Sequence, residues 1–373
     1  MTRRTSSGLS WDISRGLSWG ISWFLGLASF LALLGASLYL FYFRGYVSIL
    51  SGDSSSFLIE LARTQARNHT DADVLVLGNS TAAEGFLVNY FNSHAPGHTA
   101  LNLGVPSGNV FLFDRMTAMA VREGVRPKSI VLMLMPDIFS RREGFNFLRN
   151  DLTLLKTVLS AQDVATLGIY AQDLREYADL AVPIALRPVL FRAELKDFLA
   201  HPGERLENSE KVRGYLAGFH KDTPMPESDH PFAVCEAGPL DQLDATVERL
   251  RREKNPALPD VERVLAGYNA MKYQPSAVDS FRVERIHRLL ERLRGTGAQV
   301  YIAEAPFYDP NFTQYPAAYR DAFKDALKGV AQSVPGVTLL PTFEGDCTMM
   351  MDTLHLNRKG GELFTEYLRT RVL

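Results

Sequence analysis

The sequence predicts an α/β fold, in which helices cover both faces of a central parallel five-stranded sheet to give a three-layer sandwich. Short, mainly apolar runs of strand length alternate with helical patterns over much of the chain. Such runs are typical of strands buried on both faces of a doubly wound sheet. The functional site of this kind of sheet is expected beyond the carboxyl ends of the strands. The predicted strands are residues 73–78, 99–104, 129–135, 298–306 and 337–340.

Helices are predicted between these strands, because apolar residues recur there at helical spacing. The segment 276–297 ends in a glycine, which is a common stop signal for a helix. The predicted helices lie at about 81–91, at 109–123, within 276–297, at about 316–333 and at 358–372.

Residues 141–275 lack this alternation and predict a helical insertion that covers or borders the site. The proline-rich stretch 220–239 within it predicts an extended loop. The helices predicted in the insertion are 151–160, 162–178, 189–200 and 240–254.

The apolar run at residues 19–43 predicts a transmembrane helix, because it contains no charged residue. A helix rises about 1.5 Å per residue, so the run can cross a hydrocarbon core of about 30 Å. Arg3, Arg4 and Arg15 precede the run and Arg44 alone follows it closely, which predicts a cytoplasmic N-terminus. A cleaved signal peptide is the alternative, although the run is longer than the usual core of a signal.

This orientation predicts a single-pass protein of the bacterial inner membrane with its body in the periplasm or outside the cell. A Ser-rich start followed by Phe57, Leu58 and Leu61 on one helical face predicts a short amphipathic stem. The predicted organisation is a cytoplasmic N-terminus (1–16), a transmembrane helix (17–44), the stem (45–70) and the body with its insertion (71–373).

Charge and cysteine content limit the partners and the compartment. The formal net charge of −2, without a local basic stripe, argues against nucleic-acid binding. An even number of cysteines in an oxidising compartment favours a disulfide between Cys235 and Cys347. Two buried unpaired thiols remain the alternative.

The first predicted strand ends in Gly78, Asn79 and Ser80, just before a predicted helix. Ser80 is therefore expected at the carboxyl edge of the sheet near a helix N-terminus, where free N–H groups favour negative charge. That position suits a nucleophile whose intermediate carries an oxyanion, but a simple helix cap also explains the residue. A serine hydroxyl needs a nearby base to become a nucleophile at neutral pH.

Asp352 and His355 lie three residues apart, just before the last predicted helix. This spacing lets the carboxylate bind one imidazole nitrogen while the other faces outward, as a general base requires. A capping Asp beside a surface His is the alternative, and metal ligation is a lesser option because no further ligands stand at a suitable spacing. The remaining histidines considered are expected to be solvated or locally hydrogen-bonded: His94, His98, His201, His220 and His230.

The second predicted strand ends at Gly104, whose N–H could approach a ligand closely because glycine has no side chain. Together with the Ser80 N–H it would supply two donors of an oxyanion hole. An ordinary strand-to-helix turn explains Gly104 equally well when it is taken alone.

The order of these motifs resembles the SGNH (GDSL-type) hydrolase superfamily. The resemblance rests on Gly78-Asn79-Ser80, Gly104 and Asp352-x-x-His355, and covers residues 71–140 and 276–373. It implies a flavodoxin-like sandwich with Ser80 as nucleophile, His355 as base, Asp352 as its orienting group and Gly104 as an oxyanion donor, without a metal or cofactor.

The chain departs from the superfamily after the third strand, where the usual Gly-x-Asn-Asp block is replaced by Pro136 and Asp137. An ionised Asp137 cannot donate a hydrogen bond to an oxyanion. Either Asn109 or a backbone amide takes the place of the missing Asn, or the oxyanion hole is weaker.

The anchor, the Asn in the first block and the missing third block resemble the membrane-anchored branch of the superfamily. That branch works beside a membrane-bound O-acyltransferase channel on cell-envelope polymers, as in alginate O-acetylation and teichoic-acid D-alanylation. The resemblance implies a serine acyltransferase acting on a cell-envelope polysaccharide. An envelope esterase or lipase with the same triad, and a non-catalytic domain that binds glycan or a partner, are the alternatives.

Overall fold

A five-stranded, all-parallel sheet forms the centre of the protein, as the sequence predicts. The computed structural model describes residues 22–36, 54–140, 147–271, 277–306 and 317–373. All strands except the last are buried along most of their length, whereas the last lies at an edge of the sheet and is partly exposed. They are β1 (Val74–Leu77), β2 (Ala100–Asn102), β3 (Ser129–Leu134), β4 (Gln299–Glu304) and β5 (Val337–Leu339).

The strand order is β2-β1-β3-β4-β5, which is the flavodoxin-like doubly wound order. Val74 pairs with Ala100 of β2 on one side and with Ser129 of β3 on the other. The chain therefore leaves β1 toward one edge of the sheet and returns to β3 on its other side. Ligands bind at this switch point in open α/β sheets, beyond the carboxyl end of β1.

Helices lie in two groups, as a three-layer sandwich requires. Helix α16 contacts both α3 and α4, and helix α14 contacts both α5 and α15. Right-handed crossovers place the two groups on opposite faces of the sheet. The bounds are α3 (Ser80–Gly85), α4 (Val88–His94), α5 (Val110–Arg122), α14 (Ser280–Arg294), α15 (Ala317–Ser333) and α16 (Arg358–Val372).

Helix α2 (Ser54–Asn68) packs onto the body and contacts β2 and α5, so the predicted stem corresponds within 54–68 to a docked helix. Ile59 and Ala66 are fully buried, and Arg63 and Arg67 form ion pairs with Glu123 at the end of α5. The sequence pattern shows an apolar face but not its partner. Residues 45–53 of the predicted stem lie outside the described residues.

The insertion is helical as predicted, but its helices have different limits. The predicted helix 162–178 is interrupted at residues 171–173, and two helices lack a clear signal in the sequence. One of these, α11, lacks an apolar stripe, and the other, α13, carries Pro259 in its first turn. The helices are α6 (Phe147–Leu155), α7 (Asp163–Tyr170), α8 (Leu174–Ala185), α9 (Arg187–Leu190), α10 (Arg192–Ala200), α11 (Pro202–Ala217), α12 (Leu243–Glu253) and α13 (Leu258–Met271).

Both ends of the insertion meet at one point, where Ser140 pairs with Val278 in an isolated antiparallel bridge. Buried polar contacts hold its first helices against the sandwich. Arg115 of α5 contacts Asp163 of α7, and Asp114 accepts a hydrogen bond from the Tyr170 hydroxyl. The insertion is thus fixed against the same helical layer that follows β2 and precedes β4.

The predicted transmembrane segment 17–44 overlaps the described residues only at 22–36, which form helix α1 with exposed apolar side chains. The other residues of that segment, and residues 1–16, lie outside the described part of the chain. Within that part, none of the helices combines the length and the apolar character that crossing a bilayer requires.

Gly360 of α16 offers a test of how tightly the last helix fits the sheet rim. A Cβ at this position would lie 2.0 Å from the Met349 carbonyl oxygen, whereas a Cβ at Gly329 of α15 would meet nothing within 4 Å. We expect Gly360→Ala to destabilise the fold by about 1–3 kcal/mol through overpacking. Thermal unfolding of both variants should show a lower Tm for Gly360→Ala and an equal or higher Tm for Gly329→Ala. Equal melting temperatures would contradict this packing.

Candidate active site

The turn after β1 presents Ser80 at the carboxyl edge of the sheet. Asn79 caps helix α3, since its side-chain oxygen accepts a hydrogen bond from the Thr81 N–H at 3.0 Å. Ser80 is the first residue of the helix, so its N–H is one of those a helix leaves without an internal acceptor. That N–H makes no hydrogen bond to any residue the structure describes, and is free to bind an oxyanion.

A tight turn before α16 holds Asp352 and His355. The Asp352 carboxylate accepts hydrogen bonds from the N–H groups of Leu354 and His355, at 2.7 and 2.8 Å. The Met351 N–H donates to the His355 carbonyl at 2.9 Å, and Met350 pairs with Leu356. The Asp side chain therefore shapes the turn as well as facing the imidazole, as Asx turns do.

Ser80, His355 and Asp352 form a continuous hydrogen-bonded chain. His355 Nε2 lies 2.8 Å from Ser80 Oγ, and His355 Nδ1 lies 2.9 Å from an Asp352 carboxylate oxygen. Asp352 is buried, whereas Ser80 is half-buried and accessible from the rim. This is the geometry of a serine nucleophile with its base and orienting carboxylate.

Electrostatics at the triad favour an ion pair between its acid and base. Burial disfavours the charged imidazole, but the hydrogen bond and charge of Asp352 outweigh it and raise the pKa of His355. Burial likewise disfavours the Asp352 carboxylate, yet His355 and two backbone N–H groups lower its pKa. Asp352 is thus suited to stabilise the imidazolium that forms when His355 accepts the Ser80 proton.

Gly104 lies at the site, but its N–H already has an acceptor. It donates to the Asn102 side-chain oxygen at 2.9 Å, and a Cβ on Gly104 would lie 2.5 Å from the Ala83 nitrogen. Glycine is required here by the close approach of helix α3. To serve as the predicted oxyanion donor, the Gly104 N–H must break its hydrogen bond to the Asn102 side-chain oxygen and donate to the oxyanion instead.

Asn102 belongs to the site, although the sequence pattern does not single it out. Its amide donates to the carbonyl oxygens of Ala82, Ala83 and Phe86, at 2.7, 3.3 and 3.0 Å. It therefore ties the end of β2 to the end of the helix that begins with Ser80. The only signal in the sequence is a polar side chain at the last position of an apolar strand.

Asn109 has a structural role that differs from the predicted one. Its side-chain oxygen caps α5 by accepting from the Val110 N–H, and its own N–H donates to Asp151 of the insertion. Burial raises the pKa of Asp151 to about 8, opposed by the N–H groups it accepts from. Neither contact of Asn109 uses its side-chain N–H groups, so its oxyanion role stays a prediction.

Cys235 and Cys347 form a disulfide with a Cα–Cα distance of 5.3 Å. It joins the insertion to the segment that leads into the Asp352 turn. The Val234 N–H also donates to the Met350 carbonyl at 2.7 Å. The turn that carries the base is thus attached to the insertion by both a covalent and a hydrogen bond.

A cavity of about 650 Å³ opens beside the triad. Helix α2, the end of β2, helix α3, the insertion and the Asp352 turn all contribute to its wall. One part is apolar and another carries ionisable groups. Its lining includes Leu58, Leu61, Phe86, Val88, Met225, Asn102, Gly104, Glu84, His230, Arg263, Asp352 and His355.

The other histidines considered are hydrogen-bonded locally or exposed, and one of them also lines the cavity. His94, His98 and His201 bond Tyr90, Asp73 and Asp197, respectively, and His220 is exposed. His230 is hydrogen-bonded to Arg263 but also lines the cavity. Across the residues the structure describes, no three His, Cys, Asp or Glu side chains cluster in a way that could hold a metal ion.

Comparisons with known proteins identify no relative of this chain. No family model matches the chain, and a search of curated proteins gives no match. The superfamily resemblance therefore rests on the residues and their arrangement alone.

The raised pKa of His355 predicts the pH dependence of Ser80 acylation. Only neutral imidazole can accept the Ser80 proton, so the rate should fall as the pH drops through a midpoint above the ordinary histidine value of about 6.5. Asp352→Asn removes the main cause of the raised pKa, so the midpoint should move down and the maximal rate should fall by about 10⁴-fold. The measurement is the pH profile of p-nitrophenol release from p-nitrophenyl acetate. An identical midpoint in both proteins would contradict the assigned role of Asp352.

The disulfide predicts a redox effect on the turn that holds His355. Removal of the bond by Cys235→Ser or by dithiothreitol should lower activity more steeply than it lowers the fraction folded, because the turn loses one attachment. Acylation rate and circular dichroism of the same reduced samples provide the comparison. Equal activity in the oxidised and reduced states would contradict the expected restraint.

Proposed function

We propose that the protein is a membrane-anchored, extracytoplasmic serine acyltransferase of the SGNH type. In this proposal Ser80 accepts an acyl group and passes it to a hydroxyl of a cell-envelope polysaccharide. The observation that carries it is the hydrogen-bonded chain from Ser80 through His355 to Asp352 at the carboxyl edge of β1. The open cavity that His355 and Asp352 help to line leaves room for a donor and then an acceptor.

The first step forms an ester on Ser80. His355 Nε2 takes the hydroxyl proton as Ser80 Oγ attacks the carbonyl carbon of the donor, and the Ser80 N–H binds the oxyanion. The bond between the acyl carbon and the leaving group then breaks, and His355 returns the proton to that group. In the second step an acceptor hydroxyl repeats the attack on the ester, which frees Ser80 with its proton restored.

The apolar run at 19–43 supports an anchor in the inner membrane, with the N-terminus in the cytoplasm and the body in the periplasm. Tethering would hold Ser80 near a donor in the same membrane and raise its effective concentration. The partner proposed is therefore a membrane-bound O-acyltransferase channel protein, with the polysaccharide as acceptor.

An envelope esterase or lipase would use the same triad, with water instead of a sugar hydroxyl in the second step. The anchor favours transfer over hydrolysis, because a donor in the membrane would renew the Ser80 ester where the acceptor polymer lies. A domain that only binds glycan does not need a serine hydrogen-bonded to an oriented imidazole.

Ser80→Ala tests the covalent intermediate. The full-length protein incubated with p-nitrophenyl acetate should gain the mass of one acetyl group on the peptide that contains Ser80, and the variant should gain none. Thr81→Ser, which keeps a hydroxyl at the next residue, serves as the control and should still be acetylated on Ser80. A wild-type protein that gains no acetyl group and releases p-nitrophenol no faster than Ser80→Ala would leave only the binding function.

The second step is tested by adding unacylated envelope polysaccharide to the acetylated protein. Transfer predicts ester on the polymer, whereas release of acetate alone would identify an esterase.

A further inference from the structure

Four ionisable side chains of the cavity wall have no part in the triad. Glu227 already accepts a hydrogen bond from the Asn89 N–H, which leaves Glu84, His230 and Arg263. They come from helix α3, from the loop of the insertion and from helix α13. Their charges are close enough for His355, Arg263 and His230 each to favour the ionised form of Glu84. They form a polar wall beside the base of the triad.

Glu84 follows Ser80 by four residues on α3, so the two side chains lie on one face of the helix. Its Oε2 atom is buried and makes no hydrogen bond to any described residue. Burial raises the pKa of the carboxyl, which favours its protonated form relative to an exposed glutamate. A buried oxygen without a partner costs stability unless a ligand or water completes its hydrogen bonds.

His230 has a second unpartnered atom in the same wall. Its Nε2 lies 2.6 Å from Arg263 Nη1 and 3.0 Å from an Asp260 carboxylate oxygen, while its buried Nδ1 makes no hydrogen bond within the described residues. Backbone contacts hold the loop in place, because the Arg358 N–H donates to the His230 carbonyl. The imidazole is therefore positioned with one nitrogen available.

The polar wall suits an uncharged ligand with several hydroxyls better than a simple anion. Asp260 lies within 3.6 Å of Arg263 and offsets its charge, and Glu84 disfavours a second carboxylate nearby. A hydroxyl group can both donate and accept, so adjacent hydroxyls can satisfy a carboxyl oxygen and an imidazole nitrogen together. The apolar side chains Leu58, Leu61 and Phe86 elsewhere in the cavity can contact a carbon skeleton.

We propose that Glu84, His230 and Arg263 form the acceptor subsite and bind adjacent hydroxyl groups of a sugar. This inference rests on the proposed acyltransferase function and specifies its acceptor. One hydroxyl, held by Glu84 one helical turn from Ser80, gives its proton to His355 as its oxygen attacks the acyl carbon. The new ester bond forms, the Ser80 ester bond breaks, and the proton moves from His355 to Ser80 Oγ.

Two isomeric alcohols test the subsite whichever polymer is the natural acceptor. The acetyl-enzyme made with p-nitrophenyl acetate is offered 1,2-propanediol, whose hydroxyls are adjacent, or its isomer 1,3-propanediol, whose hydroxyls are separated by one more carbon. The full-length protein is kept in a detergent without sugar head groups, and the propanediol esters and free acetate are quantified. Binding through two additional hydrogen bonds should give about a tenfold preference for the 1,2-isomer.

Glu84→Ala should abolish this preference, and Glu84→Gln should restore part of it, because the amide keeps the shape and both hydrogen-bonding functions. Glu366→Gln is the matched control on α16, where Glu366 pairs with Arg369 away from the cavity, and should keep the full preference. The Tm of each variant checks folding. A wild-type protein that forms the acetyl-enzyme but treats both diols alike overturns the subsite and leaves the acyltransferase proposal intact.

Binding is measured separately so that the subsite remains testable if no ester forms. Saturation-transfer NMR of the two diols with Ser80→Ala should show stronger contact for the 1,2-isomer, and the double variant Ser80→Ala with Glu84→Ala should not. Equal signals for both diols overturn the subsite. Absence of the acetyl-enzyme together with a 1,2-selective signal overturns the catalytic proposal and supports the subsite alone.

Discussion

The hydrogen bond between Ser80 Oγ and His355 Nε2 is the interaction on which the interpretation of the site depends. It joins two residues that are 275 positions apart in the sequence, and no covalent cross-link connects their two segments directly. The parallel sheet makes the meeting possible, because β1 delivers Ser80 to the switch point while α16 returns the end of the chain to the same face as α3. The fold thus places the proposed nucleophile, Ser80, and its proposed base, His355, on one rim of the sheet.

Several contacts hold the turn that carries His355. A general base that must keep one orientation needs such restraint. Asp352 closes the turn from inside, and Asn357 caps α16 while its amide donates to the Thr348 carbonyl. The disulfide to Cys235 adds an attachment to the insertion. A loop placed within a few tenths of an ångström of its acting position loses little entropy during reaction. The insertion therefore supports the catalytic geometry as well as lining the cavity.

The sequence predicts the sheet well because strands buried on both faces leave uninterrupted apolar runs, and it also predicts the triad candidates because each follows a strand or precedes a helix. It fails where a role depends on a distant partner. Asn102 is informative only once α3 lies beside it, and Glu84 only once the insertion covers it. The structure adds a local role for Asn109 that the motif alone does not predict, because its side-chain oxygen caps α5.

Because helix α2 packs on the body, an anchor joined to this helix would act directly on the cavity. Leu58 and Leu61 belong to the cavity wall, so this helix is part of the site rather than a spacer below it. If residues 19–43 lie in the bilayer, only residues 44–53 separate the bilayer from helix α2. A chain of ten residues reaches at most about 36 Å, which limits how far the start of α2 can lie from the membrane. Any pull on the anchor would act first on the helix that forms part of the apolar wall.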